Sequence, residues 1–365
     1  MKIILLGEFS GLHNNLKEGL IELGHEATLA STGDGWKKFP SDINWLPTRF
    51  KGRLGYVEYL LNQYNLSKKL KGFDVVQFIS DYQLFDKRFG LDQICYSNIV
   101  KNNRKSFFIV AGGDPIIWQH WLREDDGKVS NLVKQTNKID LNPQLVRNLL
   151  DIKEKEKTLK LVEHANGVIP VMYEYAEPYR KLNNLCPTIP IPINCNKIEY
   201  TENKIHPKLV VFHGLNRRGA KGTEYVEQAF EILRKKYPND LELVIAGNMK
   251  YTDYLEFLKQ VNVIIDQTNS FSLGINGLIS LAQGKIVLGG AEIQGQKELG
   301  YESCPIINIK PDPADIVVKI ENLLERRNQI AETGRHSRLF VEKYHNHVEI
   351  AKRYTSTWNS DSNCL

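Results

Sequence analysis

Cysteine is scarce in this chain and falls in no pattern. Cys95, Cys186, Cys195, Cys304 and Cys364 are odd in number and lack metal-type spacing, which argues against a disulfide framework and for a reducing cytoplasm. No apolar run approaches the ~20 residues that a membrane span requires. The opening run Met-Lys-Ile-Ile-Leu-Leu-Gly-Glu has too few apolar residues for a secretory signal and reads as a buried first strand. Charge of one sign is not concentrated either. A formal net charge of +5 favours anionic ligands, phosphates or an anionic membrane surface. It falls short of a nucleic-acid signature, and no zinc finger, RNA-recognition motif or basic zipper is present. His345 and His347 stand two apart, on different faces of any helix, so they make a poor metal pair; no metal centre is expected. There is no Gly-x-Ser-x-Gly elbow, no Walker A order, no cysteine in a protease context, no solenoid repeat and no low-complexity tract.

What the chain does have is length and alternation. Its 365 residues are too many for one ordinary core and suit two domains of roughly 150–200 residues each. Ile3–Gly7 reads as a strand; Leu12, Leu16, Leu20 and Leu23 then recur at helical spacing, Gly24 follows as a stop, and Glu26–Ala30 returns as a strand. A strand–helix–strand unit this short predicts a parallel sheet. Further strands are expected at Asp74–Ile79, Ser106–Val110 and Gly167–Val171. Three prolines within Cys186–Asn194 disfavour helix and predict an extended connector. A second α/β series follows, with strands at Lys208–Phe212, Leu241–Ala246, Val261–Ile265 and Lys285–Leu288. The expected domains are residues 1–190 and 191–339, with helical text at 340–365 returning to the first.

The segment Val211-Phe212-His213-Gly214-Leu215-Asn216-Arg217-Arg218-Gly219-Ala220-Lys221-Gly222-Thr223 lies between a strand and a helix. A glycine-rich turn lets backbone approach a ligand, and a following helix start offers unpaired N–H groups. Two arginines and a lysine there suit a diphosphate. A solvated basic loop is the plain alternative, and spacing alone leaves both open.

Taken in order, these stretches resemble retaining family-4 glycosyltransferases of the GT-B fold. Gly214, Arg217 and Lys221-Gly222-Thr223 are similar to the family's Gly-x-x-Arg…Lys-Gly segment. The likeness runs on through Leu243–Gly247, Val261–Gln267, Gly274, Ala282–Val287 and Gly289-Gly290-Ala291-Glu292. In the first half, Gly24-His25-Glu26-Ala27, Gly112-Gly113-Asp114 and Ala165–Pro170 fit as well. The resemblance implies two facing Rossmann-like domains, an interdomain cleft and a C-terminal crossover helix. It implies transfer of a sugar from a UDP- or GDP-linked donor to a glycan or lipid-linked acceptor, in surface polysaccharide or glycoconjugate synthesis. No cofactor or metal is required, because Arg217 and Lys221 would hold the diphosphate and stabilise its developing charge. Arg218 competes for the arginine role, and Gly11 lies in the turn where backbone approaches the donor.

Several positions carry two readings. His213 is either a site residue beside the loop or a buried, satisfied histidine. Asp114 contacts acceptor or sugar hydroxyls, or forms a turn. Glu292 bonds the donor sugar, or begins a helix. Two departures stand out. Phe271 and Ile279 occupy the positions of the family's Glu-x7-Glu element, and neither can accept a bond from a ribose hydroxyl. Ser272, Asn276 or Ser280 would have to replace it, or the donor is held differently, or activity is lost. Ala111 stands where many members have histidine. Arg49, Lys51, Arg53, Lys68, Lys69 and Lys71 flank a stretch with Tyr56, Val57, Tyr59, Leu60, Leu61 and Tyr64, which suits peripheral docking on anionic lipid or an amphipathic helix packed inward. The competing functions are a sugar-nucleotide epimerase or hydrolase, and a non-catalytic partner subunit on the same fold.

Overall fold

A computed structural model describes residues 1–79, 84–124, 127–215, 217–247, 249 and 251–360, with Trp36, Tyr251 and Thr252 described by backbone alone. Asn216 and Cys364 lie outside the described residues. All nine strands expected from the apolar runs are present within two residues of their expected ends, and a tenth is too short to signal itself. The first sheet comprises β1 (Lys2–Leu6), β2 (Glu26–Ala30), β3 (Val75–Ile79), β4 (Lys105–Val110) and β5 (Gly167–Pro170). The second comprises β6 (Leu209–Gly214), β7 (Leu241–Ala246), β8 (Val263–Ile265), β9 (Ile286–Gly289) and β10 (Ile307–Asn308). Both sheets are parallel, with orders β2-β1-β3-β4-β5 and β10-β9-β8-β6-β7. Strands buried on both faces need continuous apolar text, as in Ile3-Ile4-Leu5-Leu6 of β1, where every residue is buried.

The first domain carries α1 (Leu12–Glu22), α2 (Gly52–Lys69), α3 (Leu91–Lys101), α4 (Pro115–Trp121), α5 (Val129–Ile139), α6 (Pro143–Leu150), α7 (Ile152–Glu163) and α8 (Tyr173–Ala176). The second carries α9 (Arg218–Lys221), α10 (Thr223–Lys236), α11 (Tyr251–Leu258), α12 (Ile275–Ala282), α13 (Ile293–Leu299), α14 (Pro313–Glu325) and α15 (Ile330–Tyr344); α16 (His347–Asn359) closes the chain. Helix α1 buries Leu12, Leu16 and Leu20. It stops at Gly24, whose φ of 80° is open to glycine at little cost. There the N–H groups of Gly24 and His25 close on the Ile21 and Leu20 carbonyls at 2.9 and 3.0 Å.

The proline-rich connector is extended, as expected, and it is also core. Ile189, Ile191 and Ile193 join one apolar cluster that runs from Ile3 and Leu5 of the first domain to Phe212 and Leu278 of the second. The C-terminal helical text divides at His345 and Asn346. Helix α15 stays with the second domain, and the Asn346 side chain caps α16 by accepting from the N–H groups of Val348 and Glu349 at 2.9 and 3.2 Å. The return to the first domain therefore starts at 347, where residue 340 was expected. Helix α16 lies along α1, buries Tyr354 and Trp358, and accepts a bond at the Trp358 carbonyl from Lys105 Nζ at 2.9 Å. His345 and His347 are separately engaged, by the Ile191 carbonyl and Tyr301 and by Glu22. Cys95, Cys195 and Cys304 are free thiols.

Gly19 is the contact that lets α16 close on α1: a Cβ there would stand 2.3 Å from the His347 carbonyl oxygen. Gly→Ala inside a helix ordinarily stabilises by about 1 kcal/mol. Gly19→Ala is expected to reverse that sign and destabilise by roughly 1–3 kcal/mol, as overpacking does. Urea unfolding measures it, and a stabilised variant would mean that α16 does not dock there.

Candidate functional site

Because each sheet runs β2-β1-β3 or its equivalent, each has a crevice where the connections part in opposite directions. In the first sheet it lies between β1 and β3; in the second it lies between β6 and β8. The basic segment starts at the second crevice. Strand β6 ends at Gly214, Arg217 precedes the single turn α9, and Gly222, with φ of 63°, separates that turn from α10.

Lys221 is buried, and its Nζ lies 3.3 Å from Asp266 Oδ1 at the end of β8. Asp266 Oδ2 accepts from the Gly274 N–H at 3.0 Å. The ammonium lies beside Gly214 at the strand end, 3.6 Å from where a Cβ on that glycine would stand, which is ordinary contact distance. Arg217 is exposed and acts electrostatically on Tyr175 of the first domain. Burial and Glu174 raise that phenol to about 12, and Arg217 opposes them. Arg218 is turned the other way, with Nη2 held by both carboxylate oxygens of Glu227 at 2.6 and 2.8 Å on the flank of α10. Arg217 thus lies within electrostatic reach of the first half of the chain, Lys221 is fixed at the crevice by Asp266, and Arg218 is paired on α10.

His213 is sealed inside. Its Nδ1–H donates to the Ile265 carbonyl at 2.8 Å and its Nε2 accepts from the Thr223 hydroxyl at 2.9 Å. Burial, then the Lys221 charge, lower its pKa to about 3, so it ties β6, β8 and α10 together as a neutral ring. Asp114 is also a support: Oδ1 caps α4 through the N–H groups of Ile116 and Ile117 at 2.8 and 3.0 Å, and the Tyr179 hydroxyl donates to Oδ2. Gly11 has φ of 93° and packs where a side chain would meet Phe39 at 3.2 Å. Its N–H is taken by Glu8, whose carboxylate also accepts from the Asn14 backbone and side chain at 2.9 and 2.6 Å. Glu8 therefore fills the start of α1, and burial raises its pKa to about 7 against those bonds.

Ser280 is buried and donates to the Asn276 carbonyl at 2.8 Å, while Asn276 itself is half-buried in the first turn of α12. Phe271 packs against Tyr173 with ring centres 5.4 Å apart, and Ile279 is buried. Glu292 does precede a helix, but its carboxylate is also engaged. Burial pushes its pKa up, and Lys128 at 2.5 Å and Asn308 at 3.0 Å hold it lower still.

Lys128 belongs to the first domain, and it was not among the expected residues. It also donates to the Ile309 carbonyl at 3.0 Å. Glu174 of α8 accepts from Ser270, the Ser272 N–H and the Ser272 hydroxyl. Asp140 accepts from the Gly219 and Ala220 N–H groups at 3.3 and 2.9 Å. Gln135 bonds Asn269 at 2.9 Å, and its carbonyl would lie 2.4 Å from a Cβ on Gly219. The sequence offered no signal for these, because their partners lie some 80 to 180 residues away in the chain.

No family model and no curated protein matches the sequence. Solved structures do match. A sucrose-phosphate synthase from Thermosynechococcus elongatus aligns with a TM-score of 0.64 and 14% identity over 98% of each chain. HepE from Anabaena, solved with UDP and glucose, aligns at 0.61 and 13% identity over 99% of this chain and 100% of that one. The lipopolysaccharide outer core galactosyltransferase WaaB, in its apo form, aligns at 0.52 and 11% identity over 98% and 99%. The chain has the GT-B fold. Lys221 sits at the crevice of the second sheet, and Glu174 and Lys128 cross from the first half of the chain to the second. Among the described residues no group of three His, Cys, Asp or Glu side chains is placed to hold a metal ion.

Burial gives the fold an acid sensitivity of known sign. His13, His213 and His345 have pKa values lowered to about 4, 3 and 4. Each stabilises the fold fully above the ordinary 6.5 and loses that contribution as pH falls from there through its folded value. Glu8 acts oppositely: its contribution is full below 4.5 and lost as pH rises through about 7. Three groups against one leave stability falling as pH drops from 6.5 toward 4.5, by on the order of 2–3 kcal/mol per pH unit. Urea midpoints across that window check it, and His213→Gln should flatten the dependence.

Proposed function

We propose that the protein is a glycosyltransferase, moving a sugar from a nucleotide-diphosphate donor to a glycan or lipid-linked acceptor with retention of configuration. The observation that carries this reading is the Lys221 ammonium, buried beside Asp266 and Gly214 at the crevice of the second sheet, with the exposed Arg217 within electrostatic reach of Tyr175. As the glycosidic bond breaks, negative charge grows on the departing diphosphate. A cation already fixed in a dry site stabilises that charge with little reorganisation. Lys221 meets one carboxylate oxygen among the described residues, which leaves ammonium protons for a phosphate oxygen, and Arg217 adds a planar fork. Solved neighbours support a UDP-linked donor: HepE has been solved with UDP-glucose, and TarM with UDP. A donor phosphate oxygen would help deprotonate the acceptor hydroxyl on the same face, so no carboxylate nucleophile is needed.

A non-catalytic partner subunit is the second reading, and one observation favours it. Phe271 and Ile279 are packed as apolar residues, and the Ser280 hydroxyl is spent on its own helix, so a ribose contact would have to come from elsewhere.

Peripheral contact with an anionic membrane is part of the proposal. Phe50, Leu54, Val57 and Leu61 recur at helical spacing along α2 and its start, 54, 66, 50 and 55% exposed. Arg49, Lys51, Arg53, Lys68 and Lys69 are exposed around them. The stretch's acid, Glu58, is occupied by the N–H groups of Thr48, Arg49 and Phe50. Phe89, 90% exposed and held at φ of 59°, adds an aromatic on the neighbouring loop, which is tied to α2 by Arg88 stacked on Tyr56. Apolar side chains with a cationic belt suit the headgroup boundary.

Calorimetry with UDP, GDP and ADP tests the donor site. One nucleotide is expected to bind in the micromolar range. Arg217→Ala and Lys221→Gln should each weaken it by roughly 1–3 kcal/mol, and Arg218→Ala should leave it unchanged. Absence of binding at millimolar nucleotide would favour the partner-subunit reading. Sedimentation with phosphatidylglycerol vesicles tests the surface: binding should fall with salt and be lost in Leu54→Glu/Leu61→Glu, and equal binding to neutral vesicles would refute it.

A further inference from the structure

Helices α3 and α7 lie on the same face of the first sheet as α2, and they stand apart over β4. The groove between them holds about 560 Å³. Phe85 and Phe108 form its floor, Tyr96 and Val100 of α3 one wall, and Leu161 and Val162 of α7 the other. It runs from Ser106, at the start of β4, to Asp114 beyond its end, more than ~13 Å at about 3.3 Å per strand residue.

Its two ends differ in charge. Toward the cleft, Lys87 pairs with Glu154 at 2.8 Å and Asp92 at 3.9 Å, and Lys157 pairs with Glu154 at 2.6 Å, so that end is neutralised. At the opposite end Lys101, from the last turn of α3, and Lys160, from the last turn of α7, flank the mouth. Both are exposed, and neither has a carboxylate partner among the described residues. His164 stands beside them, its Nδ1 bonded to the Lys160 carbonyl at 2.5 Å.

An elongated apolar trough with one cationic mouth selects for shape and charge together. We propose that this groove binds a single-chain anionic amphiphile, with its alkyl chain laid along Phe108 between α3 and α7 and its headgroup between Lys101 and Lys160. The site is separate from the interdomain cleft, and it stands or falls independently of the transferase reading. It also differs from the exposed stripe on α2, which offers no enclosed trough.

Calorimetry of the full chain with dodecyl phosphate, below its micelle concentration, tests the proposal. Saturable one-to-one binding is expected, weakened by roughly tenfold for each two-carbon shortening of the chain. Val100→Trp and Leu161→Trp, made separately, should each fill the trough and abolish binding. Lys101→Glu/Lys160→Glu, on exposed positions that leave the core intact, should weaken dodecyl phosphate at least tenfold while leaving dodecyl maltoside unaffected. Inorganic phosphate alone should not bind, and Leu54→Glu/Leu61→Glu on α2 should change nothing. Non-saturating heats, or wild-type affinity in both tryptophan variants and in the charge-reversal variant, would overturn the proposal. UDP binding, measured in the same samples, reports on the cleft separately.

Discussion

In a parallel sheet every strand ends on the same edge, and every connection must cross back over a face before the next strand begins. That constraint places all the loops that follow strands along one rim. Where two connections diverge, it opens a crevice between their helices. This protein applies the rule twice, with the same strand order in each half. The residues able to meet a ligand at that rim are therefore those that follow β1 and β3 in one sheet and β6 and β8 in the other. Lys221 and Asp266 face each other across the second crevice because β6 and β8 are hydrogen-bonded neighbours.

Placing charge at such a site has a desolvation cost, and the structure offsets it locally. Lys221 and Asp266 are both nearly excluded from solvent, at 7 and 3% side-chain exposure. Removal of either would strand the other, a loss of about 3–5 kcal/mol in comparable buried pairs. The same logic governs the domain junction. Glu174 and Lys128 reach from the first domain into the second, and each ends on several hydrogen-bonding groups there. Asp140 occupies the N–H groups at the start of α9. Buried polar groups satisfied across a junction hold two rigid bodies in one relative orientation, because displacement would leave each of them unpaired.

The connector and α16 supply the apolar counterpart. Ile189, Ile191 and Ile193 make the link between domains a strip of core, and α16 returns the chain end to α1. The orientation set by the charged crossings is thus backed by continuous packing behind the cleft, while the rim in front carries the exposed Arg217.

Local patterns along the chain were enough to specify the two α/β halves, their nine longer strands, the extended connector and the basic segment after β6. Continuous apolar runs mark doubly buried strands, helical spacing marks a buried face, and prolines exclude helix. Local pattern also marked His213, Asp114, Gly11 and Glu292 as candidates, yet it left their roles open. Packing in three dimensions was needed to show that His213 spends both nitrogens on β8 and α10, that Asp114 caps α4 and takes the Tyr179 hydroxyl, and that Glu292 is paired with Lys128. It also separated Arg217 from Arg218, adjacent in sequence but pointing to different surroundings once Glu227 claims the second. Lys128, Asp140 and Glu174 were illegible for a related reason. A hydrogen bond between residues a hundred positions apart leaves no periodicity in either stretch, and it exists only once two sheets have folded and brought their rims together.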